Sequence, residues 1–482
     1  MIAIRVDNRI RIPLTALPEH VVTSLKKDCE HDNPDFAKKR AQGFATYNVP
    51  AIIRTWRMEL GELTLPRGAM ARVRSTLKRA GVAFKVIDAR VEGAPLLRPI
   101  EYVGHEPRQY QRGAALAAIE KEQGIIRAAT GSGKTTTALY LSSLIGLNTL
   151  IVLPTVKLMH QTQEVARELL DVSGDRLGII HAGKKKLRPV TVATQQTLWS
   201  RSVDPEIREY FGAVMIDEAH HAAARTFAEV IDQFPCRFRI AFSADERRRD
   251  RKEFLVYDAF GAILHETSRS DCEDVGAVVD VEIRIVPTNF EADWYRDDPD
   301  FNKLLDAMSS NPERDKLALD AIAEELKMGE LAIACTHRRD HVRVLDRGII
   351  ARGFRSGCML GGNDATDVAE FEATRNGLRE GSVQAGVGTY GALGEGIDLP
   401  AVAVGVAVTP IASNKQKFNQ FRGRLCRPSQ GKHQGRMYYL FDRRVFDERM
   451  LGNILAWNRT VKVKIGGQWV DARDHRRAIM AG

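Results

Sequence analysis

From Ile2 to Ile12 apolar residues alternate with polar and charged ones, the pattern of a half-buried strand. Ala69–Ala80 has the spacing of a basic helix, and the apolar-rich stretch from Val82 to Ile87 predicts another strand. Gly93-Ala-Pro-Leu-Leu-Arg-Pro then reads as a linker. Beyond it the pattern changes. Short apolar runs at Gly124–Ile126, Leu147–Leu153, Val190–Ala193, Ala213–Ile216 and Phe238–Phe242 are separated by helical stretches, the signature of a parallel sheet covered on both faces. The rhythm returns at Val281–Val286, Leu331–Cys335, Gly357–Leu360, Ala385–Gly388, Val402–Val408 and Tyr438–Phe441. The pattern predicts an α/β chain in four segments: a basic N-terminal domain over 1–95, two parallel-sheet domains over 96–275 and 276–450, and a basic tail over 451–482 that has no assigned structure.

Charge sharpens this division. The net charge is +9, yet residues 1–100 carry 18 Lys and Arg against 10 Asp and Glu, and 451–482 carry six against two. A basic excess at both ends of a balanced centre fits either a polyanionic partner or a solvated basic surface. The N-terminal face is poor in aromatics, which favours binding to a duplex backbone over base stacking. The six cysteines form no CxxC pair, which argues against a zinc ribbon and for reduced thiols in a cytoplasmic protein. No apolar run reaches 18 residues and charge enters by Arg5, so neither a membrane span nor a signal peptide is expected.

Ala128-Ala-Thr-Gly-Ser-Gly-Lys-Thr carries the chemistry of a phosphate-binding loop, with Ala128 where that pattern usually has glycine. It follows a short apolar segment and opens the helical stretch Thr136–Leu147. Gly131 and Gly133 let backbone N–H groups converge on phosphate oxygens, and the helix N-terminus adds its positive end. Lys134 would reach the β- and γ-phosphates and Thr135 would hold Mg²⁺. Asp217-Glu-Ala-His-His follows the strand Ala213–Ile216, so Asp217 would complete the Mg²⁺ shell and Glu218 would deprotonate the attacking water.

The order of these and later motifs resembles the superfamily 2 helicases of the DExH type. Arg108-Gln-Tyr-Gln resembles the segment whose glutamine, here Gln111, contacts adenine. Leu153-Pro-Thr-Val-Lys, Ile180-His-Ala-Gly and Val192-Ala-Thr-Gln-Gln-Thr-Leu resemble the strand-tracking motifs of the first domain, and Ile333-Ala-Cys-Thr-His resembles the fourth motif. Gly388–Pro400 and Gln420–Pro428 are similar to the fifth and sixth motifs. Phe242-Ser-Ala-Asp stands where the family has Ser-Ala-Thr, a position tied there to coupling hydrolysis with strand separation, so Asp245 is a departure.

The resemblance implies two tandem RecA-like parallel-sheet domains with ATP and Mg²⁺ as cofactors. It implies nucleotide contacts from Arg108, Gln111, Thr130, Gly131, Ser132, Gly133, Lys134, Thr135, Thr136, Gly396 and Asp398. Arg424 and Arg427, three apart and so on one helix face, enter the interdomain cleft as arginine fingers with Gln420 beside them. Nucleic-acid contacts are implied for Thr155, Lys157, Gly183, Thr194 and Gln195, and for Thr336, His337 and Thr389. The run Arg247–Lys252 is either a DNA-facing loop or a solvated one.

A small basic domain ahead of the motor resembles the XPB/UvsW-like branch, and Asn33–Gly68 is similar to the N-terminal domain of phage and bacterial members that remodel branched DNA. The resemblance implies a monomeric, cytoplasmic, ATP-dependent translocase acting on forked or branched duplex with a single-stranded arm. Two alternatives stay open, the motor subunit of a restriction-type complex and an ATP-gated sensor of branched DNA with little movement. Glu218→Gln tests the motif assignment. It should leave ATP binding intact by equilibrium titration and lower turnover at least about 100-fold; retained turnover removes the general-base role.

Overall fold

Asp7-Asn8-Arg9 folds the first alternating segment back on itself. The Asp7 carboxylate accepts from Arg9 N at 3.0 Å, and Val6 pairs with Ile10 across an antiparallel hairpin. The single strand expected over Ile2–Ile12 is therefore two, Ile2–Val6 and Ile10–Pro13. In this computed structural model, which describes residues 1–129, 131–172, 176–199, 203–217, 229–243, 251–297, 299–362, 364–393, 399–411, 413–429 and 431–481, the hairpin lies within a five-stranded sheet. Its order is Arg57–Glu59, Glu62–Leu65, Ile10–Pro13, Ile2–Val6 and Phe84–Asp88. Helices Glu19–Lys27 and Met70–Arg79 bury Val21, Leu25, Val73 and Leu77 in one cluster with Ile4, Ile12 and Leu63.

An eight-stranded sheet follows in the order Lys184–Lys186, Leu177–His181, Val190–Thr194, Thr149–Leu153, Ala213–Ile216, Phe238–Ser243, Gln123–Ala128 and Ile263–Thr267. All its pairs are parallel except the first. Its central strands are buried along their whole length, because crossover helices cover both faces.

The N-terminal domain and this sheet form one compact unit, Met1–Asp271, and the contact between them is made of buried charge. Arg239 is 0 % exposed and donates to Asn8 O at 3.1 Å and Phe234 O at 2.9 Å. Arg9 pairs with Asp232. Arg67 donates to Gln123 Oε1 at 2.7 Å and Cys236 O at 2.6 Å; burial, with the nearby Arg239 charge, pushes it down to about 9. Gly68 backs onto the end of helix Glu253–Phe260, where an added Cβ would lie 2.2 Å from Tyr257 O. Asp258 accepts from His31 at 2.8 Å and from the Thr55 hydroxyl at 2.6 Å, and pairs with Arg72. Burial opposes its charge, but those three partners together hold the carboxyl below the usual range. The expected linker is packed too, with Ala94 N donating to Tyr210 O at 3.0 Å and Ala94 O accepting from Asn148 Nδ2 at 2.7 Å.

The second unit, Cys272–Gly482, holds a sheet ordered Ser356–Met359, Ala385–Thr389, Leu331–Thr336, Val402–Ala407, Gly435–Asp442, Val281–Thr288, Val461–Ile465 and Gln468–Asp471. Only the last pair is antiparallel. The basic tail expected over 451–482 thus supplies the last two strands at one margin of the sheet, turning at Gly466 and Gly467 with φ of +57° and +86°. Inside, Arg314 (1 % exposed) grips Asp442 at 2.7 and 3.0 Å, and Glu325 (0 %) is held by Arg284, Arg436 and the Tyr438 hydroxyl at 2.6–2.8 Å. Among the described residues no helix is long and apolar enough to cross a membrane.

Removing the Asp258 carboxylate strands Arg72 beside His31. Asp258→Ala should lower the stability of the first unit by about 3 kcal/mol in urea unfolding and expose the 89–100 connection to limited proteolysis. Unchanged unfolding and cleavage would show that the ion cluster does not hold the domain in place.

Candidate nucleotide-binding site

Strand Gln123–Ala128 lies between Phe238–Ser243 and Ile263–Thr267 and leads into the glycine-rich loop. Ala129 N donates to Thr267 O at 3.1 Å, and Ser132 N turns back to Ala129 O at 3.1 Å. Gly131 and Gly133 have φ of +90° and +81°, and Gly133 caps helix Lys134–Ile145. Ala128 is the last strand residue, paired with Thr267, and has no positive φ, so alanine is tolerated where the motif usually has glycine. Lys134 begins the helix and is 8 % exposed, and Thr135 and Thr136 are half-buried in its first turn. The Ser132 hydroxyl is buried, with no hydrogen-bond partner among the described residues. A buried hydroxyl of this kind, on a glycine-rich turn ahead of a helix N-terminus, suits a phosphate oxygen.

The loop is braced from helix Gln109–Lys121. The Gln111 side chain is 0 % exposed. Its Oε1 accepts from Arg108 N at 2.9 Å, while Nε2 donates to Ser132 O at 3.1 Å and Gly133 O at 3.4 Å. These bonds commit the amide to the loop itself, where the resemblance gives it an adenine contact. Tyr110, which lies in the same motif but has no role assigned from sequence, donates its hydroxyl to Ser132 O at 2.8 Å.

Parallel pairing brings the other first-unit residues to the same sheet edge. Asp217, half-buried, follows Ile216, and its N–H donates to Val152 O at 3.0 Å. It is separated from the glycine loop by one intervening strand, about 10 Å across the sheet. Thr155 caps helix Val156–Leu169 through Leu158 N at 3.3 Å, with Lys157 in that helix's first turn. Thr194 is 3 % exposed and shares a hydrogen bond with Thr197 at 2.8 Å, beside half-buried Gln195. Gly183 is an exposed turn residue at φ +83°. Thr130, Glu218 and Asp245 lie outside the described residues, as do 247–250 of the basic run.

In the second unit, Thr336 is 0 % exposed and its hydroxyl bonds His341 Nδ1 at 2.9 Å, with His341 in turn on Asp315 at 2.7 Å. That hydroxyl faces the interior, not a strand. His337 bonds the Thr409 hydroxyl at 2.8 Å. Burial, with the Lys417 and Arg338 charges, pushes it down to about 4, so it is neutral near pH 7. Half-buried Thr389 accepts from Ala392 N at 3.3 Å. Helix Lys415–Leu425 carries Gln420 and Arg424. It ends before Arg427, so the single helix face expected for Arg424 and Arg427 is corrected: Arg427 follows the Cys426 cap. Burial lowers the Arg427 guanidinium from its ordinary value, and the Arg379 charge adds to this. Arg422, unremarked in the sequence, is structural, donating to Trp457 O at 3.0 Å and Asn458 Oδ1 at 2.5 Å. Gly396 and Asp398 lie outside the described residues.

Residues 104–247 match the family described as type III restriction enzyme, res subunit. The chain is 28 % identical over 368 residues to a putative DNA 3'-5' helicase Rad25 of Halobacterium salinarum, covering 74 % of this chain and 58 % of that protein. It is 32 % identical over 163 residues to the DNA 3'-5' translocase XPB2 of Sulfurisphaera tokodaii, covering 34 % of this chain and 36 % of that one. The chain thus spans about half the length of the curated relatives it matches. The fold is shared with a fragment of a putative HsdR subunit of a type I restriction enzyme from Vibrio vulnificus, with a TM-score of 0.54, 18 % identity, and 77 % of this chain and 71 % of that one covered. Together with the ordered motifs on two parallel sheets, these similarities support a superfamily 2 helicase of the branch that holds the XPB and Rad25 relatives.

Proposed function

We propose that this chain is an ATP-driven DNA translocase that remodels branched DNA by fork reversal, branch migration or displacement-loop dissociation. The observation that carries the reading is the single sheet edge that gathers the glycine loop, Lys134, Asp217, Thr155 and Thr194. Such an edge is where open α/β sheets bind ligands. Thr135 and Asp217 are two hard oxygen donors there, the partial set that magnesium takes when phosphates and water complete its shell. Bound magnesium would neutralise charge developing on the phosphates.

The chain's own residues do the rest. Gln111 and Tyr110 hold the loop carbonyls back so that the amides and Lys134 face the phosphates. Glu218 removes the proton from the attacking water, and Arg424 and Arg427 supply positive charge as the γ-phosphoryl leaves. Because ATP then has different affinity for different arrangements of the two units, hydrolysis drives a conformational cycle. The welded N-terminal domain supports use of branched DNA: a basic surface fixed to the first sheet moves with it and can hold duplex while the motor steps. A second reading, a restriction-type motor subunit working with a separate nuclease chain, is favoured by the family match over residues 104–247.

ATPase measured with single-stranded, duplex, forked and four-way DNA and with RNA tests the proposal. Forked or four-way DNA should stimulate most, and Lys134→Ala should remove all stimulation. Stimulation by RNA duplex alone overturns it, and unwinding that requires a co-purifying nuclease chain supports the second reading. Arg424→Ala should lower kcat roughly 1,000-fold with a much smaller change in KM. Fork affinity should fall steeply between 50 and 200 mM salt as phosphate contacts release counterions; salt-independent binding contradicts a backbone-tracking surface.

A further inference from the structure

Residues 33–51 form an excursion between the paired strands Glu30–Asp32 and Ile52–Arg54. Its base is closed by Asn33, 6 % exposed, whose N–H donates to Ala51 O at 2.9 Å and whose side-chain amide donates to Pro50 O at 2.7 Å. The Asn33 oxygen also caps helix Pro34–Ala41 through Asp35 N at 3.1 Å. That helix ends in exposed Lys38, Lys39 and Arg40. The chain then turns, with Gly43 N on Arg40 O at 3.2 Å and Phe44 N on Lys39 O at 2.9 Å. On the turn stand Phe44 and Tyr47, 63 % and 87 % exposed, the two most exposed aromatic side chains among the described residues.

Scattered exposed apolar residues are ordinary. Two aromatic rings three positions apart on one anchored tip are a different matter, since each forgoes the burial such rings usually have. The surroundings state what would cover them. From Ala37 to Asn48 the chain has three cations and no carboxylate, so the partner is anionic and offers flat apolar faces. Nucleic acid meets both conditions, its phosphates taking the cations and its bases stacking on the rings. The tip is also mechanically tied to the motor sheet's unit. Asp35 pairs with Lys252 at 2.7 Å, and His31 stacks on Phe254 at 4.2 Å. The aromatic-poor face expected from sequence is therefore corrected at this point.

We propose that the Phe44–Tyr47 turn is a base-stacking wedge that engages DNA bases where duplex gives way to single strand, with Lys38, Lys39 and Arg40 on the adjoining phosphates. The proposal rests on the DNA-translocase reading and supplies that reading with a strand-separating element. As the motor draws duplex toward the tip, the rings replace the stacking that a parted base pair loses.

The test uses the full chain without nucleotide and a fork carrying 2-aminopurine at its junction. Binding of the wild type should change the 2-aminopurine fluorescence. Phe44→Ala with Tyr47→Ala should abolish that change and weaken fork binding roughly tenfold, with blunt-duplex affinity kept within about twofold. Phe44→Tyr with Tyr47→Phe keeps both rings and should keep the signal. A wild-type signal and fork affinity in the double-alanine variant overturn the wedge. So does ring-dependent binding to phosphatidylserine vesicles with no ring dependence on the fork. DNA-stimulated ATPase is read separately on plain duplex: its absence from the wild type defeats the translocase reading, while the fluorescence still decides the stacking.

Discussion

Parallel pairing is the constraint from which the candidate site follows. A strand that pairs in parallel with its neighbour must return by a crossover, so every strand of such a sheet ends on the same edge. In the first unit that edge receives the loop after Gln123–Ala128, the Asp217 position after Ala213–Ile216 and the Thr155 cap after Thr149–Leu153. These residues are far apart in the chain and share no local contact that would gather them. The register of the ladder does it, and Gln111 and Tyr110 then fix the loop's shape from the neighbouring helix.

Buried charge does a different task at the N-terminal domain. Arg9, Arg67 and Arg239 each point into the contact and end on carbonyls or a carboxylate, and Asp258 collects His31, Thr55 and Arg72. An apolar seam would permit sliding at little cost. Directional bonds to buried groups admit one arrangement, because any slip leaves a charge without its partner. A rigid mount is what a surface needs if it is to move with the sheet behind it.

The strands were legible where both faces are buried. Ala213–Ile216 and Ala385–Thr389 are continuous apolar or small-residue runs, and turn residues mark their ends. Strands at sheet margins were less so: Ile263–Thr267 contains His265 and Glu266 because part of it meets solvent. The C-terminal hairpin did carry a signal, Val461-Lys-Val-Lys-Ile ahead of Gly466-Gly467, the alternation and turn of an edge ribbon. The phosphate loop was legible because its glycines are required by backbone geometry. That the Thr336 hydroxyl bonds His341 was not legible, because a motif position says nothing of where a side chain points. The Asp258 cluster left no trace, since its partners lie 186 to 227 residues away. The outward setting of Phe44 and Tyr47 depends on which surfaces remain uncovered once everything else has packed.

The edge ribbon has a consequence for synthesis on the ribosome. Val281–Thr288 opens the second unit yet takes Val461–Ile465 as one of its two neighbours, and Thr460 reaches Asp280 across 180 residues. The first unit has all its strands once residue 267 has emerged. In the second unit both neighbours of the earliest strand, Gly435–Asp442 and Val461–Ile465, follow it by about 150 residues or more, so it waits unpaired on both flanks. Until residues 435–465 emerge, that strand is the place where a nascent chain is open to mispairing, and the Val-Lys ribbon then closes its second flank.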